Sequence, residues 1–99
     1  MVINSLYPFE ETVKNATSSK AEIIEKIDVG GPSMIRAAAK NYKDVLIVTD
    51  SADYDLVADA LENDHNTLEL RESLAAKAFR LTAFYDAMIA EYFLSLIHI

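Results

Sequence analysis

One uninterrupted apolar run, Val45 to Thr49, constrains the fold more than any other feature of the chain. The run is rich in β-branched residues, and Asp44 and Asp50 bound it on either side. It is too short for a typical helix and does not alternate, so it predicts a strand that is buried on both faces. Strands of this kind belong to parallel sheets covered by helices, and we therefore expect an α/β fold.

A second strand and four helices complete the predicted pattern. Residues 2–7 favour an extended strand, which Pro8 ends because proline cannot donate to a sheet ladder. The spacing also allows a short helical turn from Phe9 to Asn15. The helices are expected at residues 20–27 with Ser18 as N-cap, at 34–41, after a cap at Asp50 or Ser51, and at 67–93.

Apolar spacing predicts which faces of the last two helices are buried. The first of them carries the stripe Tyr54, Val57, Ala58 and Leu61, before the polar residues 63–66 break the pattern. The long helix has a wide apolar face that should be largely buried: Leu70, Leu74, Ala78, Leu81, Tyr85, Met88, Ile89 and Tyr92, flanked by Ala75, Phe79, Ala83 and Ala90.

The only two glycines of the chain stand side by side in Asp28-Val29-Gly30-Gly31-Pro32-Ser33. This concentration predicts one tight, special turn, with a proline where a helix can begin. The pair does not follow the G-x-G-x-x-G or phosphate-loop pattern, so a dinucleotide site is not expected.

Composition excludes several classes of protein. Nine basic against sixteen acidic residues give a net charge of -7, which disfavours binding to nucleic acid and to anionic lipid. The chain has no cysteine and only two histidines, so neither a thiolate nucleophile nor a zinc site is expected. No apolar run approaches the ~20 residues of a membrane-spanning helix. These features fit an intracellular, reducing compartment.

Two strands are too few for a self-sufficient parallel sheet, so we expect the 99 residues to be part of a larger domain. Several blocks of sequence agree with this expectation, because they occur in an order that resembles one known family. They are Leu6-Tyr7-Pro8-Phe9, Ile27-Asp28-Val29-Gly30-Gly31-Pro32, Arg36-Ala37-Ala38-Ala39-Lys40-Asn41, Lys77-Ala78-Phe79, Thr82-Ala83, Tyr85-Asp86 and Tyr92-Phe93.

These blocks resemble the bifunctional purine-biosynthesis enzymes that combine aminoimidazole-carboxamide-ribotide formyltransferase with inosine-monophosphate (IMP) cyclohydrolase. The resemblance assigns residues 1–93 to the second half of the cyclohydrolase domain and leaves the tail 94–99 without a counterpart. It implies a three-layer, methylglyoxal-synthase-like α/β fold and a cytoplasmic enzyme. The activity implied is dehydrative ring closure of the formylated ribotide to IMP.

The resemblance also implies the site residues. Tyr7, Asp28 and Lys40 match the family's active-site groups, and its nucleotide contacts fall on Asn4, Ser5, Asp28 and Val29. No metal or organic cofactor is implied for ring closure, and 10-formyltetrahydrofolate belongs only to the formyltransferase domain. The implied partners are the nucleotide substrate and, for the full-length protein, a second copy in a homodimer.

The chain departs from the family pattern at three positions. Ser5 replaces the usual asparagine, while Tyr42 and Leu81 each replace a histidine. The family's first half, with its phosphate-binding loops, has no counterpart here, which suggests a truncated or read-through gene product. We therefore expect the isolated chain to be nearly inactive, because the binding energy of the phosphate is missing.

Each site residue also has a purely structural interpretation. Asp28 is suited to stabilise the start of a helix, Lys40 to offset the dipole at a helix end, and Tyr7 to pack as an aromatic with a bonded hydroxyl. The alternative to the enzyme is a non-catalytic α/β module that binds a nucleotide or a partner helix through its apolar face.

Overall fold

The computed structural model describes residues 1–6, 9–14 and 19–97. In this part of the chain, a two-stranded sheet is accompanied by five α-helices and one short 3₁₀ turn. The elements in chain order are β1 (Val2–Ile3), α1 (Phe9–Lys14), α2 (Lys20–Glu25), α3 (Gly30–Lys40), β2 (Ile47–Val48), the 3₁₀ turn Ser51–Asp53, α4 (Tyr54–Glu62) and α5 (Leu68–Ile97).

The two strands pair in parallel, as the apolar run predicts. Val2 lies opposite Ile47 and Ile3 opposite Val48. The ladder extends on both sides, because the Val2 N–H donates to the Leu46 carbonyl at 2.8 Å and the Asn4 N–H to the Val48 carbonyl at 3.0 Å. Both strands are shorter than predicted, yet their carboxyl ends lie together at one edge of the sheet.

The main core lies between α3, α5 and β2, and small side chains make it close-packed. Ala39 of α3 and Ala78 of α5 are both 0% exposed, which lets the two helices approach closely. The other buried members are Ile35, Ala38, Leu46, Ile47, Val48, Val57, Leu74 and Ala75. The unbroken burial from Leu46 to Val48 confirms that this strand is covered on both faces.

Helices α3 and α5 run antiparallel. Near the start of α5, the Arg71 Nε donates to the Tyr42 carbonyl, just beyond the end of α3, at 2.9 Å. Further along α5, the Phe79 ring lies 5.6 Å from the Arg36 guanidinium in the middle of α3. In these two contacts, a later position of α5 meets an earlier position of the α3 region. The start of α3 therefore faces the carboxyl-terminal half of α5.

A second, smaller core joins α1, α2 and α5. Phe9, Ile23 and Tyr85 are its buried members, and the Phe9 and Tyr85 rings meet edge to face at 6.0 Å. Leu6 packs against both cores. The segment after β1 is therefore anchored to the body of the protein directly before Tyr7.

The helix caps differ partly from expectation. Ser19 caps α2 by accepting from the Glu22 N–H at 3.2 Å, so the predicted cap is displaced by one residue from Ser18, which lies outside the described residues. Neither Asp50 nor Ser51 caps α4 as predicted, because a 3₁₀ turn precedes that helix and Asp53 stands at its N-cap; Asp50 caps the 3₁₀ turn instead and accepts from the Ala52 N–H at 3.0 Å.

The predicted boundary of α3 was wrong. The helix begins at Gly30 rather than Met34, and Pro32 lies within its first turn, where a missing N–H costs no hydrogen bond. Neither glycine has a positive φ. The glycine pair thus belongs to the start of a helix rather than to a turn that needs left-handed backbone.

The predicted buried faces of α4 and α5 were correct only in part. In α4, Val57 and Ala60 are buried, whereas Ala58 is exposed and Tyr54 and Leu61 are about half exposed (49% and 50%). The apolar pattern of α4 allows several neighbouring faces, and the face that is buried is the one that bears Val57 and Ala60.

In α5, the side chains of Phe79, Ala83 and Ala90 are exposed although the pattern predicted burial. Thr82 is buried instead, and its hydroxyl donates to the Phe79 carbonyl one turn earlier, at 3.0 Å. The helix itself therefore satisfies this buried polar group, which a hydropathy pattern does not register.

We predict that Ala78→Leu destabilises the chain, because the added atoms must enter the closed contact between α3 and α5. Overpacking of this kind costs about 1–3 kcal/mol. Ala83→Leu on the exposed side of the same helix is the control and should change stability by less than about 0.5 kcal/mol. Urea denaturation followed by circular dichroism measures both, and equal midpoints for the two variants would contradict the packing described here.

A second prediction concerns the ion pairs that join α5 to the 3₁₀ turn. The Lys77 Nζ lies 2.7 Å from Asp53 Oδ2 and 3.1 Å from Asp50 Oδ2. The Ala52 N–H, and after it Lys77, lower the pKa of Asp50, while Asp53 and Asp50 raise the pKa of Lys77. Lys77→Met should therefore raise the pKa of Asp50 only part of the way to its ordinary value.

Carboxyl ¹³C titration by NMR measures this pKa. A full return to the ordinary value would contradict the assignment of the Ala52 hydrogen bond as the largest cause of the lowered pKa.

The lowered pKa of Asp50 also determines how its contribution to the free energy of unfolding changes with pH. Its contribution is present above the ordinary aspartate pKa and is lost as the pH falls through the folded-state pKa. For Lys77, whose pKa is raised, the contribution is present below the ordinary lysine pKa and is lost at higher pH.

Candidate functional site

A cleft of about 320 Å³ lies at the carboxyl ends of β1 and β2. Open parallel sheets characteristically bind ligands at this edge. The cleft contains two of the predicted contact residues, Asn4 and Ser5, on the β1 side. Ile3 also lines the cleft on the β1 side, and the β2 side and the turn that follows complete it with Val48, Thr49, Ser51 and Tyr54.

The polar groups that line this cleft are neutral. They are the Asn4 amide, the hydroxyls of Ser5, Thr49 and Ser51, and the Tyr54 phenol. The Asn4 Nδ2 donates to the Met34 Sδ at 3.9 Å, which ties β1 to α3 and orients the amide. Such a lining suits ribose hydroxyls or a heterocyclic amide, whereas a phosphate would require cationic groups from elsewhere.

Asp28 lies half-buried just before α3 and is held at two points. Its N–H donates to the Tyr85 hydroxyl oxygen at 2.8 Å, and its Oδ1 accepts from the Gly31 N–H at 2.8 Å. Within the described residues, Oδ2 makes no hydrogen bond. One carboxylate oxygen is therefore held by a hydrogen bond, and the other is open only in the sense that no described residue bonds it.

The bare backbone of Gly31 makes room for this carboxylate. A Cβ at Gly31 would lie 2.5 Å from the Asp28 Oδ2, which is far inside contact distance. A Cβ at Gly30 would meet nothing within 4 Å. The second glycine of the pair is thus required by the position of the Asp28 side chain, whereas the first is not.

The structural interpretation of Asp28, that it stabilises the start of a helix, is confirmed. The carboxylate caps the start of α3 through the Gly31 N–H, and Pro32 has no N–H to offer a ligand. The Val29 side chain is 74% exposed, and its carbonyl accepts from the Ser33 hydroxyl at 3.0 Å. Capping consumes only Oδ1, so it leaves a chemical role for Oδ2 open.

Lys40 lies at the opposite end of the same helix. It is the last residue of α3, its side chain is exposed, and it makes no hydrogen bond or ion pair with the described residues. The ten residues from Gly30 to Lys40 span about 15 Å at 1.5 Å per residue. This chain therefore does not bring Lys40 and Asp28 together. Tyr7, the third predicted active-site group, lies outside the described residues.

Sequence analysis missed four residues near these sites. Thr49, Ser51 and Tyr54 line the cleft, and a usable signal existed for them, since they directly follow the strand whose carboxyl end forms its wall. Tyr85 was assigned only to the core. Its bond to Asp28 spans 57 positions and ends on a backbone N–H, which no local pattern indicates.

A second concavity lies away from the strand ends. This groove of about 460 Å³ between α1 and the end of α5 is lined by Phe9, Val13, Phe84, Met88, Glu91, Tyr92 and Ser95. Among the described residues, no group of three or more acidic, histidine or cysteine side chains is arranged to hold a metal ion. None of the described helices is long and apolar enough to cross a membrane.

Comparison with curated proteins finds close relatives along nearly the whole chain. The bifunctional purine biosynthesis protein PurH of Oceanobacillus iheyensis is 57% identical over 95 residues, which are 96% of this chain and 19% of the relative. PurH of Lactobacillus delbrueckii subsp. bulgaricus is 57% identical over 93% of the chain, and that of Listeria monocytogenes is 55% identical over 93%. The chain thus spans about a fifth of the length of these relatives.

A solved structure, described as the crystal structure of ForH, superimposes with a TM-score of 0.75 at 40% identity. The match covers 93% of this chain and 49% of that one. The family model of the AICARFT/IMPCHase bienzyme matches residues 38–98, which is more than half of the chain. The resemblance inferred from the sequence blocks is confirmed, and the chain belongs to the AICARFT/IMPCHase bienzyme family.

Proposed function

We propose that this chain is the second half of an IMP cyclohydrolase domain in a bifunctional purine-biosynthesis enzyme that acts in the cytoplasm. Its reaction is the dehydrative closure of formylated aminoimidazole-carboxamide ribotide to IMP. The fold that we assign to the complete domain is the three-layer, methylglyoxal-synthase-like α/β fold. The observation that carries the proposal is the 57% identity with a PurH protein over 96% of this chain.

Ring closure sets three chemical demands. The carboxamide nitrogen is a poor nucleophile and must lose a proton as it attacks the formyl carbon. The formyl oxygen becomes an oxyanion that needs a hydrogen-bond donor. This oxygen must then take up two protons in all to leave as water, while the formamido nitrogen gives up its own proton as the C=N bond forms. A carboxylate, a phenol and an ammonium group are suited to these tasks.

We assign these tasks to the residues that match the family motif. Asp28 accepts the proton of the carboxamide nitrogen at its open Oδ2, since Oδ1 is engaged by Gly31. Tyr7 donates to the developing oxyanion. Lys40 supplies a proton in the assembled enzyme, because its position at the far end of α3 leaves it apart from Asp28 within this chain.

We assign the substrate contacts to the cleft at the strand ends and to the residues around Asp28. Asn4 and Ser5 are proposed to bind the ribose or heterocycle in the neutral cleft, and Val29 to contact the ring beside Asp28. Serine at position 5 offers a single hydroxyl where the family's asparagine offers an amide nitrogen and an amide oxygen. The cleft offers no cation for the ribotide phosphate, and we therefore expect the isolated chain to be nearly inactive.

A chimeric enzyme tests the proposal. The matching segment of the Oceanobacillus PurH is replaced by this chain, and IMP formation from the formylated ribotide is followed by absorbance. We expect the chimera to close the ring, and Asp28→Asn in it to lower kcat by roughly 10²- to 10³-fold, because a general base is lost. The 99-residue chain alone is the companion sample and should give no detectable IMP.

Two results would contradict this proposal. The first is a chimera that folds and binds substrate but forms no IMP. The second is unchanged turnover in both Asp28→Asn and Tyr7→Phe. Association of the chain with the missing half without turnover would favour the alternative, a binding module, for which the exposed Phe84 and Leu94 on α5 are the supporting observation.

The two glycines provide a matched pair of variants. Gly31→Ala forces the Asp28 carboxylate to move, so we expect kcat of the chimera to fall about tenfold. Gly30→Ala has room for its methyl group and should leave kcat within about twofold while stabilising the helix by about 0.5–1 kcal/mol. Steady-state kinetics and urea denaturation measure both variants, and equal kcat values would show that the Asp28 position does not matter.

A further inference from the structure

The buried Tyr85 is hydrogen-bonded to Asp28, the residue to which we assign proton transfer. Its hydroxyl oxygen accepts the Asp28 N–H at 2.8 Å from α5, 57 positions away. We propose that Tyr85 is a positioning residue that fixes the backbone of Asp28 and so aims the open Oδ2 at the substrate. This inference rests on the proposed function and deepens it, because it assigns Asp28 a support from a distant helix.

Packing holds the Tyr85 hydroxyl in one place. Tyr85 is only 2% exposed, and its ring lies edge to face against Phe9 at 6.0 Å, with the planes at 71°. Ile23 is buried in the same cluster, and Ile27, the residue before Asp28, packs against it. A phenol ring confined in this way cannot change rotamer without opening the cluster, so its oxygen is a rigid acceptor.

Contacts from two helices therefore fix Asp28. Tyr85 holds its backbone N–H from α5, and Gly31 holds its Oδ1 from the first turn of α3. If the Tyr85 oxygen is removed, the half-buried N–H loses its acceptor and the residue before the helix is free to rotate. Oδ2 then shifts relative to the substrate, and a displacement near 1 Å is enough to slow proton transfer strongly.

Tyr85→Phe tests this arrangement because it removes the acceptor and keeps the ring. Tyr92→Phe is the matched control. Tyr92 lies on the same helix and packs edge to face on the same Phe9 at 6.1 Å, yet its hydroxyl makes no hydrogen bond with the described residues. In the chimera, we expect Tyr85→Phe to lower kcat about tenfold with KM within twofold, and Tyr92→Phe to change neither by more than twofold.

The double variant shows whether Tyr85 acts through Asp28. In the Asp28→Asn background, Tyr85→Phe should change kcat less than twofold, because the group that it positions is already lost. Equal kcat in Tyr85→Phe and the unaltered chimera, with Asp28→Asn inactive, overturns the positioning role and leaves the proposed function standing. Unchanged turnover in both Asp28→Asn and Tyr7→Phe overturns the proposed function together with the positioning role, and the two failures are thus distinguishable.

Amide hydrogen exchange gives a readout that does not depend on activity, and its first measurement needs no variant. In the unaltered 99-residue chain, the Asp28 amide should exchange at least about 100-fold more slowly than an unprotected amide, because Tyr85 accepts its hydrogen. Tyr85→Phe should remove this protection, whereas Tyr92→Phe should retain it. Exchange of the Asp28 amide at the unprotected rate in the unaltered chain overturns the proposal even where Tyr85→Phe does not fold.

Discussion

The close antiparallel packing of α3 on α5 is the contact on which the rest of the structure depends. Small residues on both helices make it possible, since Ala39 of α3 and Ala78 of α5 belong to the same core and neither side chain is exposed. The antiparallel direction brings the start of α3 to the second half of α5, so Asp28 meets Tyr85. It also places the end of α3 beside the start of α5, where Arg71 binds the Tyr42 carbonyl and sets the entry into β2.

Much of the fold could be predicted because the relevant signals are local or periodic. The apolar run at Val45 to Thr49 predicted a strand covered on both faces, and its parallel partner at the amino terminus was correct in position. The long helix was also predicted, although it extends to Ile97. Burial of Thr82 and of Ala60 was not foreseen, since a hydroxyl satisfied by its own helix and a choice between adjacent apolar faces depend on tertiary contact.

The candidate site could likewise be predicted only in part. Asn4 and Ser5 were predicted from the family resemblance, and the structure places them in one cleft because β1 ends there. The neighbouring Thr49 and Ser51 follow from the rule that parallel strands present their carboxyl ends together. The support of Asp28 by Tyr85 could not be predicted, because its donor is a backbone N–H and its two residues lie 57 positions apart.

Charge bears directly on the nucleotide substrate that we propose. The chain carries a net charge of -7, its cleft is lined by neutral groups, and Lys40 lies about 15 Å along α3 from the helix start. A ribotide phosphate near Asp28 would therefore meet repulsion rather than attraction. If the proposed function holds, this region orients the reacting groups and the phosphate is bound by residues outside it. Under the proposed function, the Asp28 Oδ2 remains available for proton transfer, because none of the described residues forms a hydrogen bond or ion pair with it.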